Sequence, residues 1–280
     1  LFHFPSNRPR SVQDVMIMKF SRRPVIIFFV SLDIILFVLP TILVIISSFT
    51  AAETVTFPPR GFSTRWFGEV FSKSLFRRGM INSLIAATID ATLATPIGVM
   101  AALAIHKYTV RFKNFFQIYL LLPFTIPLVV SGVGLMIIFS KLGIIGETWS
   151  VGIAILAIDI PFMIFAVSSS VNALDENLEN AAQNLGANEI RTFFSVIIPA
   201  IKPGIITGYI LMWLLGFNEF LVSLMVTNRQ SVTLPVAMYT SMRSNITPEV
   251  AAAATLVIVI AALLILVLDR VVGIDEFLSV

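Results

Sequence analysis

The sequence contains no cysteine and only two histidines among its 280 residues. The lack of cysteine excludes disulfide bonds and thiolate metal sites, and the separated His3 and His106 form no metal-binding constellation. Charged residues make up only 12% of the chain, whereas a soluble domain is nearer a quarter charged. No basic stripe with interleaved aromatic residues indicates nucleic-acid binding. These absences argue against a metalloenzyme, a nucleic-acid-binding protein and a soluble globular domain.

Hydrophobic residues, in contrast, make up 57% of the chain. A helix needs about 20 apolar residues to cross the hydrocarbon core of a membrane. Six segments reach that length, namely 24–49, 80–105, 115–140, 149–172, 204–226 and 249–270. We therefore predict an all-α membrane protein with six transmembrane helices, the first of them an uncleaved span. Prolines inside four of these segments favour a packed bundle, in which neighbouring helices satisfy the freed carbonyls.

The positions of lysine and arginine predict the orientation of these spans. Eleven of the nineteen basic residues fall in segments that would be cytoplasmic if both termini are cytoplasmic, which is a weak bias in that direction. On this reading 1–23 is a cytoplasmic N-terminal segment, 24–49 a first, peripheral span and 50–79 an external loop with an interfacial amphipathic part. Residues 80–270 then form the transmembrane core, which contains the cytoplasmic loop 173–203, and 271–280 form a cytoplasmic tail.

A polar stretch rich in small residues lies between the fourth and fifth predicted spans. Its sequence is Leu178-Glu179-Asn180-Ala181-Ala182-Gln183-Asn184-Leu185-Gly186-Ala187. Asp175 suits the N-cap of a helix, and Gly186 suits a left-handed C-cap that leads into a second helix. Alanines on one face of the first helix would allow close docking against another protein.

This stretch resembles the cytoplasmic coupling loop of ABC-importer permeases, whose pattern is Glu-Ala-Ala, three residues, Gly, and then an apolar run ending in proline. The resemblance implies that an ATPase contacts Glu179, Asn180, Ala181, Ala182, Leu185, Gly186 and Ala187. Asn180 occupies the place of the family's glutamate, and Glu179 lies one residue earlier, about 100° around the helix. The family's salt bridge at this position is therefore not carried over.

Further segments resemble the second permease of the spermidine/putrescine branch of these importers. They are Phe57-Pro58-Pro59-Arg60-Gly61-Phe62-Ser63, Asn82-Ser83-Leu84, Leu122-Pro123-Phe124-Thr125-Ile126-Pro127, Phe217-Asn218-Glu219-Phe220, Thr233-Leu234-Pro235-Val236 and Thr247-Pro248-Glu249. The resemblance implies the type I ABC importer permease fold, with a coupling helix-turn-helix between spans 4 and 5, in a bacterial inner membrane.

The same resemblance implies a set of partners and an alternating-access mechanism. Expected partners are an ABC ATPase dimer, a second permease subunit, an extracytoplasmic solute-binding protein and the lipid membrane. The second permease would be a paralogue or a second copy of this chain. The sequence has no Gly-x-x-x-x-Gly-Lys-Ser/Thr phosphate loop. We therefore expect no catalysis and no cofactor in this chain, with ATP and magnesium bound by the ATPase.

Ionisable residues inside spans are costly, and they usually face a bundle interior or water. Asp33, Asp90, Asp159 and Glu219 are of this kind, and no basic residue lies deep in the same spans. We predict that Glu219 and its neighbour Asn218 line a pathway for a cationic solute, and that Asp90 and Asp159 are further candidates. The alternative is that these acids hydrogen-bond to hydroxyl or backbone groups.

Trp213 and Tyr209 on the fifth predicted span could hold an alkylammonium group by cation–π attraction. Ordinary packing explains aromatic residues at such positions equally well.

Other functions remain open at this point. The solute could be an opine, an amino acid or aminoethylphosphonate instead of a polyamine. A self-sufficient secondary carrier would need inverted repeats with paired broken helices, and no such halves are visible. An intramembrane enzyme would need a catalytic dyad or a metal site, and the sequence shows neither pattern.

Overall fold

The computed structural model describes residues 12–56, 58–107, 120, 122–123, 125–175, 177–244 and 247–272. Helices dominate this part of the chain, and its only extended pairing is an isolated antiparallel bridge between Thr50 and Phe62. In chain order the helices are α1 (Val12–Ser48), α2 (Arg65–Ser72), α3 (Ser74–Lys107), α4 (Leu128–Leu142), α5 (Thr148–Asn172), α6 (Asn177–Asn184), α7 (Glu189–Ala200, with a π-helical stretch at Phe193–Ile197), α8 (Lys202–Asn218), α9 (Leu221–Val226), α10 (Leu234–Ser244) and α11 (Pro248–Val272).

Among the described residues, four helices are long and apolar enough to cross a membrane, and they correspond to the first, second, fourth and sixth predicted spans. Their apolar parts are Ile26–Ser48, Ser74–His106, Thr148–Asn172 and Pro248–Arg270. The second helix begins six residues before the predicted bound of 80, so it includes the end of the predicted loop 50–79. The early start has a physical cause, because Phe76 is buried while Arg77 stays exposed, which makes this turn amphipathic.

The third predicted span, 115–140, is not continuous. Residues 108–119, 121 and 124 lie outside the described part of the chain, and the helical path is interrupted at Ile126 and Pro127. Helix α4 starts after Pro127, which has no N–H group and restricts the residue before it. At 15 residues, α4 is shorter than a full membrane crossing.

The predicted span 204–226 is helical over most of its length but is not one continuous helix. The chain leaves the helix at Glu219 and Phe220, so that α8 ends at Asn218 and α9 begins at Leu221. At its other end, α8 meets α7 at an angle of 67°. The predicted span is thus a helix that is bent at its start and broken near its end.

Helices α3, α5 and α8 pack against one another and form the centre of the bundle. Glycines allow the close approach of α8 to α5. A Cβ on Gly208 would lie 2.4 Å from Met163 Sδ, and a Cβ on Gly204 would lie 2.4 Å from Ser170 Oγ. Small residues play the same part in other membrane helix interfaces.

Helix α1 lies at the edge of the bundle, where it packs on α11. In its apolar membrane-length segment Ile26–Ser48, only the last residue, Ser48, is buried. Asp33, on this segment, is exposed. The segment after α1 folds back through hydrogen bonds from Ala51 N to Arg60 O (3.0 Å) and from Ser63 N to Phe49 O (2.8 Å). This arrangement leaves the long apolar surface of α1 free to face lipid or another subunit.

Candidate functional site

Helix α6 is fixed at both ends by local interactions. Asp175 Oδ1 accepts hydrogen bonds from the backbone N (2.9 Å) and the side-chain Nδ2 (2.8 Å) of Asn177, which caps the first turn as predicted. Gly186 has a φ of +87°, its N donates to Gln183 O (2.9 Å), and Ala187 N donates to Ala182 O (3.0 Å). This pair of bonds is the Schellman motif that a glycine C-cap favours.

Helix α7 starts immediately after this turn. Asn188 Oδ1 accepts a hydrogen bond of 2.8 Å from Arg191 N and so acts as the N-cap. The π-helical stretch that follows directs Phe193 and Ile197 into the core. Ile190 and Phe194 stay 72% and 65% exposed on the same helix.

The α6–α7 loop therefore carries an unusually apolar exposed surface. Leu185 is 90% exposed, and together with Ile190 and Phe194 it forms what we call the apolar loop surface. Several large apolar side chains exposed on one loop of otherwise polar character indicate a contact with another protein. Sequence reasoning selected Leu185 and missed Ile190 and Phe194, although their four-residue spacing places them on one helix face.

Asn180, which occupies the place of the family's glutamate, and Glu179, one residue earlier, differ in their surroundings. Asn180 is exposed, whereas Glu179 is half-buried and already engaged in an interaction within the chain. Ala181 is exposed and Ala182 half-buried. At the family's glutamate position the exposed group is therefore the side-chain amide of Asn180, and the carboxylate of Glu179 does not replace the missing glutamate.

Glu219 lies in the break between α8 and α9 and caps the second of these helices. Its Oε1 accepts a hydrogen bond from Val222 N (2.7 Å), and its Oε2 accepts from Ser223 N (2.7 Å) and Ser223 Oγ (2.8 Å). The neighbouring Asn218 is exposed, with its Nδ2 donating to Leu214 O (2.8 Å). The break between α8 and α9 thus places the Asn218 side chain at the surface and holds the Glu219 carboxylate beside it.

The aromatic candidates on α8 have packing partners. Trp213 stacks on Phe217 with ring centroids 5.1 Å apart, and its Nε1 donates to Thr88 Oγ1 (3.2 Å). Tyr209 is half-buried against the core formed by α3, α5 and α8. Both residues have structural roles, and their contact with a solute stays a prediction.

Asp90 on α3 and Asp159 on α5 are buried, with relative exposures of 0% and 9%. Asp159 lies within electrostatic range of both Asp90 and Glu219, so the fold gathers three acids from distant parts of the sequence. No residue in the described part of the chain donates a hydrogen bond to either carboxylate oxygen of Asp90. Sequence reasoning named all three acids but could not predict that they cluster.

Comparison with known proteins identifies the family. Residues 94–275, more than half of the chain, match the family described as "Binding-protein-dependent transport system inner membrane component". The chain belongs to this family. It is a multi-pass membrane protein and a transport subunit, the permease of a binding-protein-dependent import system.

Two curated relatives and one solved structure support this assignment. The spermidine/putrescine transport system permease protein PotC of Escherichia coli K12 is 28% identical over 228 residues, which cover 81% of this chain and 86% of PotC. The putrescine transport system permease protein PotI of the same strain is 31% identical, covering 78% and 80%. A bacterial alginate ABC transporter, solved with a periplasmic protein that carries an alginate pentasaccharide, has a chain that matches with a TM-score of 0.65 at 16% identity, covering 92% and 94%. This last likeness shows the type I permease fold.

The end of the permease away from the α6–α7 loop, called the far end here, is held by a buried amide. Asn82 Nδ2 donates to Gln230 O (2.8 Å) and Val232 O (2.9 Å), and Asn82 Oδ1 accepts from Thr148 Oγ1 (3.1 Å). These bonds fix the segment between α9 and α10 over the starts of α3 and α5. A cavity of about 500 Å³ beside this segment is lined by residues that include Arg78 and Arg229.

An ion pair joins two elements of the permease at the far end. Lys73 Nζ donates a hydrogen bond to Glu249 Oε2 at the start of α11, and it also lies 3.4 Å from Glu69 Oε2. The hydrogen bond with Glu249 raises the pKa of Lys73 above its ordinary value, against the opposing effect of burial. Glu249 itself is only 2% exposed. The α2–α3 junction is thereby tied to the last span.

Proposed function

We propose that this permease imports a small cationic solute of the polyamine class, as one of two permease subunits in an ATP-driven complex. The observation that carries this proposal is the similarity to PotC and PotI, at 28% and 31% identity over about four-fifths of the chain. The cluster of Asp90, Asp159 and Glu219 supports a cationic solute, because no basic side chain lies deep in the same helices.

The partners follow from the same proposal. A dimer of ABC ATPases, which would bind ATP and magnesium, sits on the cytoplasmic side against the apolar loop surface, Asn180, Ala181 and Gly186. Both termini of the permease are then cytoplasmic, in a bacterial inner membrane. A second permease, a paralogue or another copy of this chain, covers part of the exposed bundle. A solute-binding protein docks at the far end, where Arg78 and Arg229 suit acidic side chains.

Helix connectivity suggests how the ATPases act on the pathway. Closure of the ATPase dimer would push α6 and α7, and α7 joins α8 directly across the 67° bend. Helix α8 ends at Asn218, where the break begins. A displacement at the α6–α7 loop is thereby passed along α8 to the polar break, switching the permease between inward- and outward-facing states. In free-energy terms, the ATPase dimer is a ligand that selects one of two states of the bundle.

Co-purification and reconstitution test this function. The tagged permease is extracted gently from its host, and its partners are identified by mass spectrometry. We expect an ATPase with a phosphate loop and a second permease. The complex is then placed in liposomes with the binding protein, and uptake of labelled putrescine and spermidine is measured with ATP or a non-hydrolysable analogue. Uptake driven by an ion gradient without ATP would favour a secondary carrier. ATP-driven uptake of an amino acid, opine or aminoethylphosphonate alone would refute only the solute class.

Variants of the apolar loop surface test the docking of the ATPase. Ile190→Asp and Phe194→Asp should each reduce the amount of ATPase that co-purifies, because a buried interface would then hold an unpaired charge. Val55→Asp, at an exposed apolar position in the segment between α1 and α2, outside the spans and away from this loop, is the control. Equal ATPase recovery with all three variants would exclude the apolar loop surface as the docking site.

A further inference from the structure

Asp90 is an exceptional residue in this bundle. It lies within α3, its relative exposure is 0%, and neither of its carboxylate oxygens has a hydrogen-bond partner in the described part of the chain. Buried polar groups in native proteins are almost always hydrogen-bonded, and a buried unpaired charge is costly. Packing of the described helices therefore does not account for this carboxylate, which makes it a candidate to bind a ligand.

The surroundings of Asp90 do not supply an internal counter-charge. In the described parts of α3, α5 and α8, the lysines and arginines lie at the helix ends, as Arg77, Arg78, Lys107 and Lys202. The charged group that acts electrostatically on Asp90 is another acid, Asp159, which is in turn affected by Glu219. Glu219 already uses both of its oxygens to cap α9, which leaves Asp90, whose two oxygens have no partner, and the buried Asp159 as the acids that a cation would stabilise.

Access to this pair is controlled by α8. A Cβ on Gly216 would lie 2.7 Å from Asp90 Oδ2, so the backbone of α8 covers the carboxylate directly. The helical path is interrupted at both ends of α8, by the 67° bend at its start and by the break after Asn218. A shift of the end of α8 away from α3 would therefore uncover Asp90.

We propose that Asp90 and Asp159 form an interior cation site that binds a protonated amine of the solute when α8 moves away from α3. An ammonium group carries three donors and a full charge, which match the two unpartnered oxygens of Asp90 and the carboxylate of Asp159. A metal ion fits less well, since the described residues contain no group of three or more metal-binding side chains. This inference rests on the proposed import of a polyamine, and it adds a site separate from the exposed break at Asn218 and Glu219.

The first test compares Asp90→Asn and Asp159→Asn with Asp33→Asn, which makes the same chemical change on the exposed face of α1. ATP-driven putrescine uptake by the reconstituted complex should fall by roughly tenfold to a hundredfold in the first two variants, as expected for loss of a charge-assisted contact, and stay normal in the third. The melting temperature of the Asp90→Asn complex should equal or exceed the wild-type value, because an unpartnered buried carboxylate has been removed.

Two outcomes would overturn the site. Wild-type uptake rates in both variants would show that the acids do not contact the solute. A fall in uptake matched by a fall in melting temperature would show that they act only in folding. A wild-type complex that imports no polyamine at all would instead refute the proposed function, so the two failures are distinguishable.

A labelling experiment tests access directly. The permease has no cysteine, so Asp90→Cys introduces a single thiol into this subunit, with the partner subunits made cysteine-free. Ethylammonium methanethiosulfonate should label this thiol during turnover with ATP and loaded binding protein, and faster than the anionic ethylsulfonate reagent. Equal labelling in the resting and turning-over complexes, or equal rates for the two reagents, would contradict the proposal.

Discussion

The backbone of Gly216 lies against the carboxylate of Asp90, with no room between them for even a methyl group. A Cβ built on Gly216 would approach Asp90 Oδ2 to 2.7 Å and the Cα of Ala87 to 3.3 Å. The contact joins α8, which continues from the α6–α7 loop, to α3, which carries one of the clustered acids. A displacement of α8 would therefore change the surroundings of Asp90 directly at this contact.

Gly216→Ala should force α8 away from α3. Overpacking of a filled interior costs about 1–3 kcal/mol, so we expect a lower melting temperature of the detergent-purified complex. Gly134→Ala is the matched control, because a Cβ at Gly134 meets no atom within 4 Å. Shortening the acid in the double variant Gly216→Ala, Asp90→Ala should restore part of the lost stability. A melting temperature unaffected by Gly216→Ala would contradict the close contact.

The conformation of the α6–α7 loop was predictable from sequence because local interactions determine it. Asp175 and Gly186 act within a few residues of themselves, as an N-cap and a left-handed C-cap do in any helix. Four of the six spans predicted from the long apolar runs are found as membrane-length helices for the same reason, since length and composition suffice. Ile190 and Phe194 were missed because exposure depends on which face of α7 packs on the bundle.

The break after α8 and the acid cluster could not be predicted in the same way. The segment 204–226 is mostly apolar, with only a few polar residues. Hydropathy alone does not distinguish a straight helix from a broken one. Glu219 stabilises the break, because its carboxylate accepts hydrogen bonds from Val222 and Ser223. The approach of Asp159 to Asp90 depends on how three helices pack, which a single sequence does not reveal.

Asn82→Asp should destabilise the far end. The substitution keeps the shape of the side chain but replaces the donor to Gln230 O and Val232 O by an acceptor. The carbonyls of Gln230 and Val232 then lose their partner, and because the second of these is buried the cost is about 1–3 kcal/mol, so the melting temperature of the complex should fall. Asn218→Asp makes the same change at an exposed amide and should have little effect on it. Equal melting temperatures for the two variants would show that Asn82 does not hold this segment.

Lys73→Met should destabilise the junction between α2 and α11, because Glu249 would remain as a buried charge. Lys73 is half exposed, so we expect about 1–2 kcal/mol, less than for a fully buried pair. Adding Glu249→Gln should recover most of the loss of melting temperature. Arg65→Met, which removes an exposed ion pair of 4.0 Å with Glu53, should have no measurable effect. A double variant no more stable than Lys73→Met alone would show that the two residues do not interact.

The ion pair between Lys73 and Glu249 should contribute to stability in a pH-dependent way. Glu249 raises the pKa of Lys73 above the ordinary 10.5, so the folded state holds this proton more tightly than the unfolded chain does. The contribution to stability is therefore complete at neutral pH and is lost only as the pH rises through the elevated pKa. Between pH 7 and 9 the difference in melting temperature between wild type and Lys73→Met should stay constant, and a difference that disappears in this range would be inconsistent with a raised pKa.

Gly186→Val should uncouple ATP hydrolysis from transport while leaving the permease in the membrane. Gly186 has a φ of +87° and open space around it, so valine would strain the backbone without clashing with any other part of the chain. The loop would relax to another turn, which changes how Leu185 and the start of α7 are presented to the ATPase. We expect the ratio of solute imported to ATP hydrolysed to fall in the reconstituted complex.

Gly143→Val is the matched control, because Gly143 has a φ of +70° and equally open surroundings at the end of α4, away from the α6–α7 loop. If both variants lower the ratio equally, backbone strain in general is the cause, and normal coupling in Gly186→Val would mean that this turn does not transmit the ATPase motion.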